Sequence, residues 1–335
     1  MRSLFILIPA ILATLLFGCG DTSKKIDTSK LTLDSLITLY PDSVELLVKK
    51  GNELIEKVQY QKALEIAAKA YRLDSVSFDT RVLYAEALIN KPSRSADDML
   101  RGHLMYKSLV KANPKNVKAL IGLANTYTML EDMDNSFIYI NKALRINPRY
   151  RDAYILKGTN YRLKQDLKLA ISSYETAVQI DPKCTMAYLS LAVLYELSGD
   201  AKLGMEKYTT AYQLEPKNTE VIYALAYAKE NLGETNQALN LYRKMAKIDT
   251  TYVDAFFHIA RIYQFDKPQL DSAIYYYKKA IKVNQEHVPS YHNLGLAYES
   301  KDDITNALFA YSKVLKIDPD YALTKERVAV LKNKR

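Results

Sequence analysis

Apolar residues along this chain recur at helical spacing, and they recur in register. An alanine followed four residues later by a tyrosine appears at Ala170 and Tyr174, Ala238 and Tyr242, Ala273 and Tyr277, and Ala307 and Tyr311, with Tyr208 in the same phase. Such an i, i+4 pair predicts a buried stripe on one helix. A second set of small residues runs through Gly51, Ala85, Ala124, Gly158, Ala192, Ala226, Ala260, Gly295 and Ala329. Three positions after these, one turn along the same face, stand Leu54, Leu88, Tyr127, Tyr161, Tyr195, Tyr263 and Tyr298. The small residues let a paired helix approach closely, and the larger ones are expected to fill the core between the two.

The phase is set by a ladder of turn residues. Steps of 34 land on Pro114, Pro148, Pro182, Pro216 and Thr250, and one extra residue carries the ladder to Gln285 and Pro319. Pro41 and Ser75 are also 34 apart, separated from Pro114 by a five-residue insertion. Asn or Asp precedes most of these prolines, and proline both restricts the residue before it and cannot continue a helix. The marks predict helix pairs at about 44–75, 78–114, 117–148, 151–182, 185–216, 219–250, 253–285 and 288–319. Leu33, Leu36, Ile37 and Tyr40 predict a half-repeat helix before the first pair, and 322–334 a capping helix after the last.

These residues resemble the tetratricopeptide-repeat (TPR) family. Asn293-Leu294-Gly295-Leu296-Ala297-Tyr298 carries the first half of its pattern, and Ala170, Tyr174, Ala177 and Pro182 the second. Departures are local: Lys229 replaces a tyrosine, Thr250 and Gln285 replace prolines, and tryptophan is absent. The resemblance implies an all-α, right-handed TPR superhelix, an α-solenoid of about eight helix-turn-helix repeats with N- and C-terminal capping helices. It covers 31–335 as one solenoid.

The first 18 residues read as an export signal, with Arg2 ahead of the apolar run Leu4 to Phe17, too short to span a membrane. Leu16-Phe17-Gly18-Cys19 resembles a bacterial lipobox, which implies lipidation (palmitate) of Cys19, and residues 19–30 read as a polar tether. Gly20 after the cysteine leans the expectation toward the outer membrane, periplasmic or surface face. Cys184 is then the only thiol left and predicts no internal disulfide.

Removing the signal leaves one positive charge fewer than the full chain's +9. The lysines are scattered through every repeat, as expected of solvated outer faces, and together with the export signal this argues against nucleic acid as a partner. More than half of the 27 tyrosines fall on repeat core positions. No phosphate loop, dinucleotide turn, serine elbow or metal-spaced cysteine cluster occurs. The chain is therefore expected to be no enzyme and to carry neither cofactor nor metal. His258 and His292, at near-equivalent positions of neighbouring repeats, read as surface histidines.

By the resemblance, the first helix of each pair lines a concave groove. In repeats three to five this lining is plain: Ile121, Asn125, Ile155, Thr159, Leu189 and Val193. In repeats six to eight it becomes Tyr223, Tyr227, Phe257, Arg261 and His292, with His258 and Asn293 beside them. Aromatic side chains and arginine dominate interface energetics, so these seven residues form the candidate partner-binding surface. The carboxylate clamp of chaperone-binding TPRs is not reproduced, because Val48 and Ile121 stand where lysine is required. Insertions at Asn90 to Asp98 and Phe265 to Gln269 are second-choice contact loops.

The expected function is a membrane-anchored scaffold that mediates protein–protein interaction in assembly of a bacterial cell-envelope complex. The alternative is a glycan- or peptide-binding nutrient-capture lipoprotein that uses the aromatic groove.

Overall fold

The computed structural model describes residues 31–333, which form eighteen α-helices and one π-helical turn and contain no strand. The export signal, Cys19 and the tether lie outside the described residues. Two compact units divide between Gly102 and His103.

In the first unit, α1 (Leu33–Leu39) packs on α2 (Val44–Glu56), α2 pairs with α3 (Tyr60–Leu73), and α4 (Phe78–Asn90) packs on both. Gly51 explains how close they come: a Cβ there would fall 2.9 Å from Cδ1 of Leu83. The division falls within α5 (Ala96–Ala112).

The second unit is a stack of helix pairs: α6 (Val117–Met129) with α7 (Met133–Ile146), α8 (Arg151–Leu163) with α9 (Leu167–Ile180), and α10 (Thr185–Leu197) with α11 (Ala201–Leu214). It continues as α12 (Thr219–Asn231) with α13 (Thr235–Ile248), α14 (Val253–Arg261) with α15 (Leu270–Val283), and α16 (Val288–Glu299) with α17 (Ile304–Ile317), closed by α18 (Ala322–Asn333). Within the stack, each second helix also packs on the first helix of the following pair, and α17 packs on α18. This nearest-neighbour contact pattern is that of a solenoid, as the all-α expectation requires.

Turn chemistry sets the pairs. Between most repeats the chain leaves the helix at an Asn or Asp whose side chain caps the next turn, Glu215 being the exception. Asp181 accepts from the backbone N–H of Lys183 at 3.0 Å, and Asp249 and Asn284 accept in the same way at 2.8 and 2.9 Å. The turn therefore survives without proline at Thr250 and Gln285, because the Asx side chain supplies the hydrogen bond. Inside six of the eight repeats, the chain reverses through a left-handed residue at one fixed phase: Val58, Glu131, Gln165, Gly199, Gly233 and Asp302.

Repeat seven does otherwise. Its extra residue is absorbed in a π-helical turn, Ile262–Asp266, and Lys267 keeps an ordinary negative φ of −132°. The insertion expected at Phe265 to Gln269 is thus partly helical, and only Lys267 to Gln269 lie outside a helix.

The small and aromatic positions meet as expected. Tyr242, Tyr277 and Tyr311 have no exposed surface, and Tyr174 and Tyr208 are buried. Gly158 and Gly295 lie against the rings of Tyr174 and Tyr311, where no Cβ fits. Tyr127, Tyr161, Tyr195 and Tyr298 differ from the expectation of core residues: they are half-buried at the rim. The cause is the phenol, which needs a polar partner. Tyr195 donates to Glu175 at 2.7 Å.

Candidate functional site

Every 34 residues, the first helices bring one residue to the same face: Val193, Tyr227 and Arg261. All three reach solvent, with Val193 41% and Tyr227 43% exposed and the Arg261 side chain 40% exposed. Tyr223, one turn earlier on α12, stacks on Tyr227 with ring centroids 6.0 Å apart. Phe257 on α14 is half-buried, edge-on to His258 and to His287 at 5.4 and 5.3 Å.

Under this surface lies a polar network that the sequence did not announce. Glu230 has a side chain only 8% exposed, and its Oε2 accepts from the Tyr242 hydroxyl at 2.8 Å and from Nδ1 of His258 at 2.8 Å. The His258 ring stacks on Tyr242 at 4.8 Å, and its Nε2 lies 3.4 Å from the Tyr223 hydroxyl. The Arg261 guanidinium stands 3.6 Å from Oε1 of the same carboxylate. Burial pushes the Glu230 carboxyl upward, but its bonds from His258 and Tyr242 and the charge of Arg261 prevail and hold it below the ordinary value. The Tyr242 phenol is driven up by burial and by the Glu230 charge, so it stays a donor.

This arrangement is periodic. A tyrosine of the second helix donates to an acid or amide late in the first helix: Tyr208 to Glu196 at 3.0 Å, Tyr242 to Glu230, Tyr277 to Gln264 at 2.7 Å, and Tyr311 to Glu299 at 3.0 Å. The π-helical turn shifts Gln264 one residue relative to Tyr277 and so keeps the pair in phase. The helix that follows then clamps two of these pairs, His258 bonding Glu230 and Arg327 bonding Glu299, and places Asn293 at the equivalent position for Tyr277. Ala224 occupies the corresponding position beside Glu196, which stays exposed.

The structure thus divides the seven candidate residues. Tyr227 and Arg261 face solvent, and Tyr223, Phe257 and Asn293 are partly covered. His258 and His292 are not the surface residues expected, being 5% and 8% exposed. Each is buried because it ties one repeat to the next, His258 through Glu230 and His292 through Nδ1 to the Thr324 hydroxyl at 2.8 Å. Among the described residues no three His, Cys, Asp or Glu side chains converge as metal ligands. Glu230 was missed and Tyr242 was read only as a core residue, although the 34-residue spacing of Glu196, Glu230 and Gln264 was there to be counted. Cys184 is buried at the start of α10, and burial raises its thiol above the ordinary range.

Part of the chain carries tetratricopeptide repeats. The family profile described as Tetratricopeptide repeat matches residues 117–150, 152–184, 253–287 and 288–321. A 66-residue stretch is 35% identical to the tetratricopeptide repeat domain-containing protein PYG7, chloroplastic, of Arabidopsis thaliana. That stretch spans 20% of this chain and 22% of the relative. Among solved structures, a chain of the APC/C hetero-tetramer Cut9-Hcn1 superposes with a TM-score of 0.61 at 17% identity, covering 87% of this chain and 56% of that one. The human IFIT1 dimer with m7Gppp-AAAA superposes with a TM-score of 0.60 at 18% identity, covering 86% and 77%. At these identities the likeness is one of fold. A TPR stack of this kind is consistent with protein partners and with a scaffold role.

Proposed function

We propose that this protein is a lipid-anchored scaffold that holds a segment of a partner protein near a bacterial membrane during assembly of a cell-envelope complex. The observation that carries the binding part is the exposed pair Tyr227 and Arg261 on a buried, hydrogen-bonded base of Glu230, His258 and Tyr242. A solvent-facing aromatic and arginine held by packed neighbours lose little freedom when a partner docks, which makes such residues effective anchors. Arg261 keeps donors free of its 3.6 Å contact with Glu230 and suits a carboxylate or backbone carbonyl of the partner. The anchor rests on the apolar run and the Leu16-Phe17-Gly18-Cys19 sequence, with lipidation at Cys19 and localisation to the cell envelope, outer membrane included.

In-cell crosslinking with mass spectrometry tests the binding part. A protein crosslinked to repeats six to eight in the wild type and lost in Tyr227→Ala plus Arg261→Ala supports it. An adduct pattern unchanged by the pair of substitutions sinks the groove assignment, and a wild type that crosslinks to no protein favours ligand capture instead. The anchor is tested separately by metabolic labelling with a palmitate analogue. Label retained by Cys19→Ser contradicts the lipid site.

A further inference from the structure

A groove of about 320 Å³ opens on the second unit between α15, α16 and α17. None of its lining residues belongs to the Tyr227 and Arg261 surface. Its floor is apolar: Leu294 and Ala310 are buried, with Ile281 and Tyr298 beside them. Phe309 stands at its edge with 61% of its surface in water. Two lysines flank it from different helices. Lys278 on α15 carries its Nζ 5.6 Å from the Tyr298 ring centroid, and Lys313 on α17 carries its Nζ 5.1 Å from that of Phe309. Neither lysine forms an ion pair among the described residues.

We propose that this groove docks an acidic peptide segment of a partner protein, with one aromatic or branched aliphatic side chain seated on Leu294 and Ala310 and carboxylates on either side paired with Lys278 and Lys313. Four features choose this occupant. The volume is at the low end of ligand-binding cavities, roughly 300–1,000 Å³, and suits one large side chain better than a whole cofactor. The exposed Phe309 is an apolar surface that covering by a partner would take out of water. The two ammonium groups rest over ring faces without a carboxylate partner, so negative charge is the complement the rim lacks. The chain's net charge of +9 draws an acidic segment toward it.

The test uses the full chain and a fluorescein-labelled nonapeptide of glutamates around a central phenylalanine and leucine, read by anisotropy. Its analogue with lysine for every glutamate is the control. The glutamate probe is expected to saturate, to weaken at least ~10-fold in Lys278→Glu plus Lys313→Glu, and to weaken also in Phe309→Ala, while the charge-reversed variant gains the lysine probe. Lys278 and Phe309 are exposed and Lys313 is half-buried, and an unchanged helical circular-dichroism signal certifies each fold. Glutamate and lysine probes binding alike, or binding indifferent to charge reversal, overturns the proposal. Saturable binding of dodecanoate in place of either peptide reassigns the groove to small amphiphiles. A concentration-dependent dimer abolished by Phe309→Glu, without peptide binding, reassigns it to a second copy of this chain.

Discussion

Replacing Gly295 by alanine tests the small-against-aromatic packing that defines the repeats. A Cβ at this position would lie 2.7 Å from both Cδ1 and Cζ of Tyr311 and closer still to Cε1. Tyr311 has no room to retreat, because it is fully buried and its hydroxyl is tied to Glu299 at 3.0 Å. Overpacking of this kind costs about 1–3 kcal/mol. Shifting the ring also breaks a hydrogen bond to a charged acceptor, a further ~1.5–3 kcal/mol. Against these stands a gain of about 1 kcal/mol from alanine in a helix interior. The net expectation is a loss of about 3 kcal/mol, or roughly 6–12 °C in melting temperature for a unit of this size. Urea and thermal melts of Gly295→Ala read the effect directly. The same substitution in a Tyr311→Leu background relieves the clash, so there it should be neutral or stabilising. A Gly295→Ala protein as stable as the parent, or one that loses the same stability with leucine at 311, would refute the packing argument.

Acidification should weaken the second unit in two stages. Burial lowers the imidazole values of His103, His287 and His292 below 6.5. Their contribution to stability is therefore complete above the unfolded value and is lost as pH falls from about 6.5 toward the folded values. Glu230, whose folded carboxyl value is depressed, contributes above its unfolded value of 4.5 and loses that contribution as pH falls further, through the folded value. A urea midpoint that stays flat from pH 7.5 to 5.5 would contradict the first stage. In the first unit, Val58 sits at φ 58°, where a β-branched side chain is strained. Val58→Gly should raise the unfolding free energy by about 1 kcal/mol, and a destabilised variant would show that the strain is absent.

Much of this fold is written in the sequence because its signals are local and repeated. Ala273 with Tyr277, or Gly295 with Tyr298, needs only helical periodicity to be recognised as packing, and Asp181-Pro182 needs only turn chemistry. The turn at Asp249 also shows why the missing prolines at Thr250 and Gln285 change nothing: the Asx side chain already makes the bond. The site was less legible. Tyr227 and Arg261 were selected from their position in the repeat, and both reach solvent. His258 and His292 were misread because a polar residue on a first helix resembles a solvated one until its partner is known. Those partners, Glu230 in the preceding repeat and Thr324 in the closing helix, stand 28 and 32 residues away, and only packing brings them within reach. The π-helical turn in repeat seven escaped notice for a similar reason, since a one-residue insertion looks the same in sequence whether a loop or a helix absorbs it.

The account stands or falls on the surface formed by Tyr227 and Arg261. The most direct measurement places a photoreactive amino acid at Tyr227 in living cells and compares it with the same label at Val76, which is 85% exposed in the turn between α3 and α4 of the first unit. A discrete protein adduct is expected from position 227, absent from position 76 and lost when Arg261→Ala is added. Identical adducts from both positions, or no protein adduct from position 227, would contradict it.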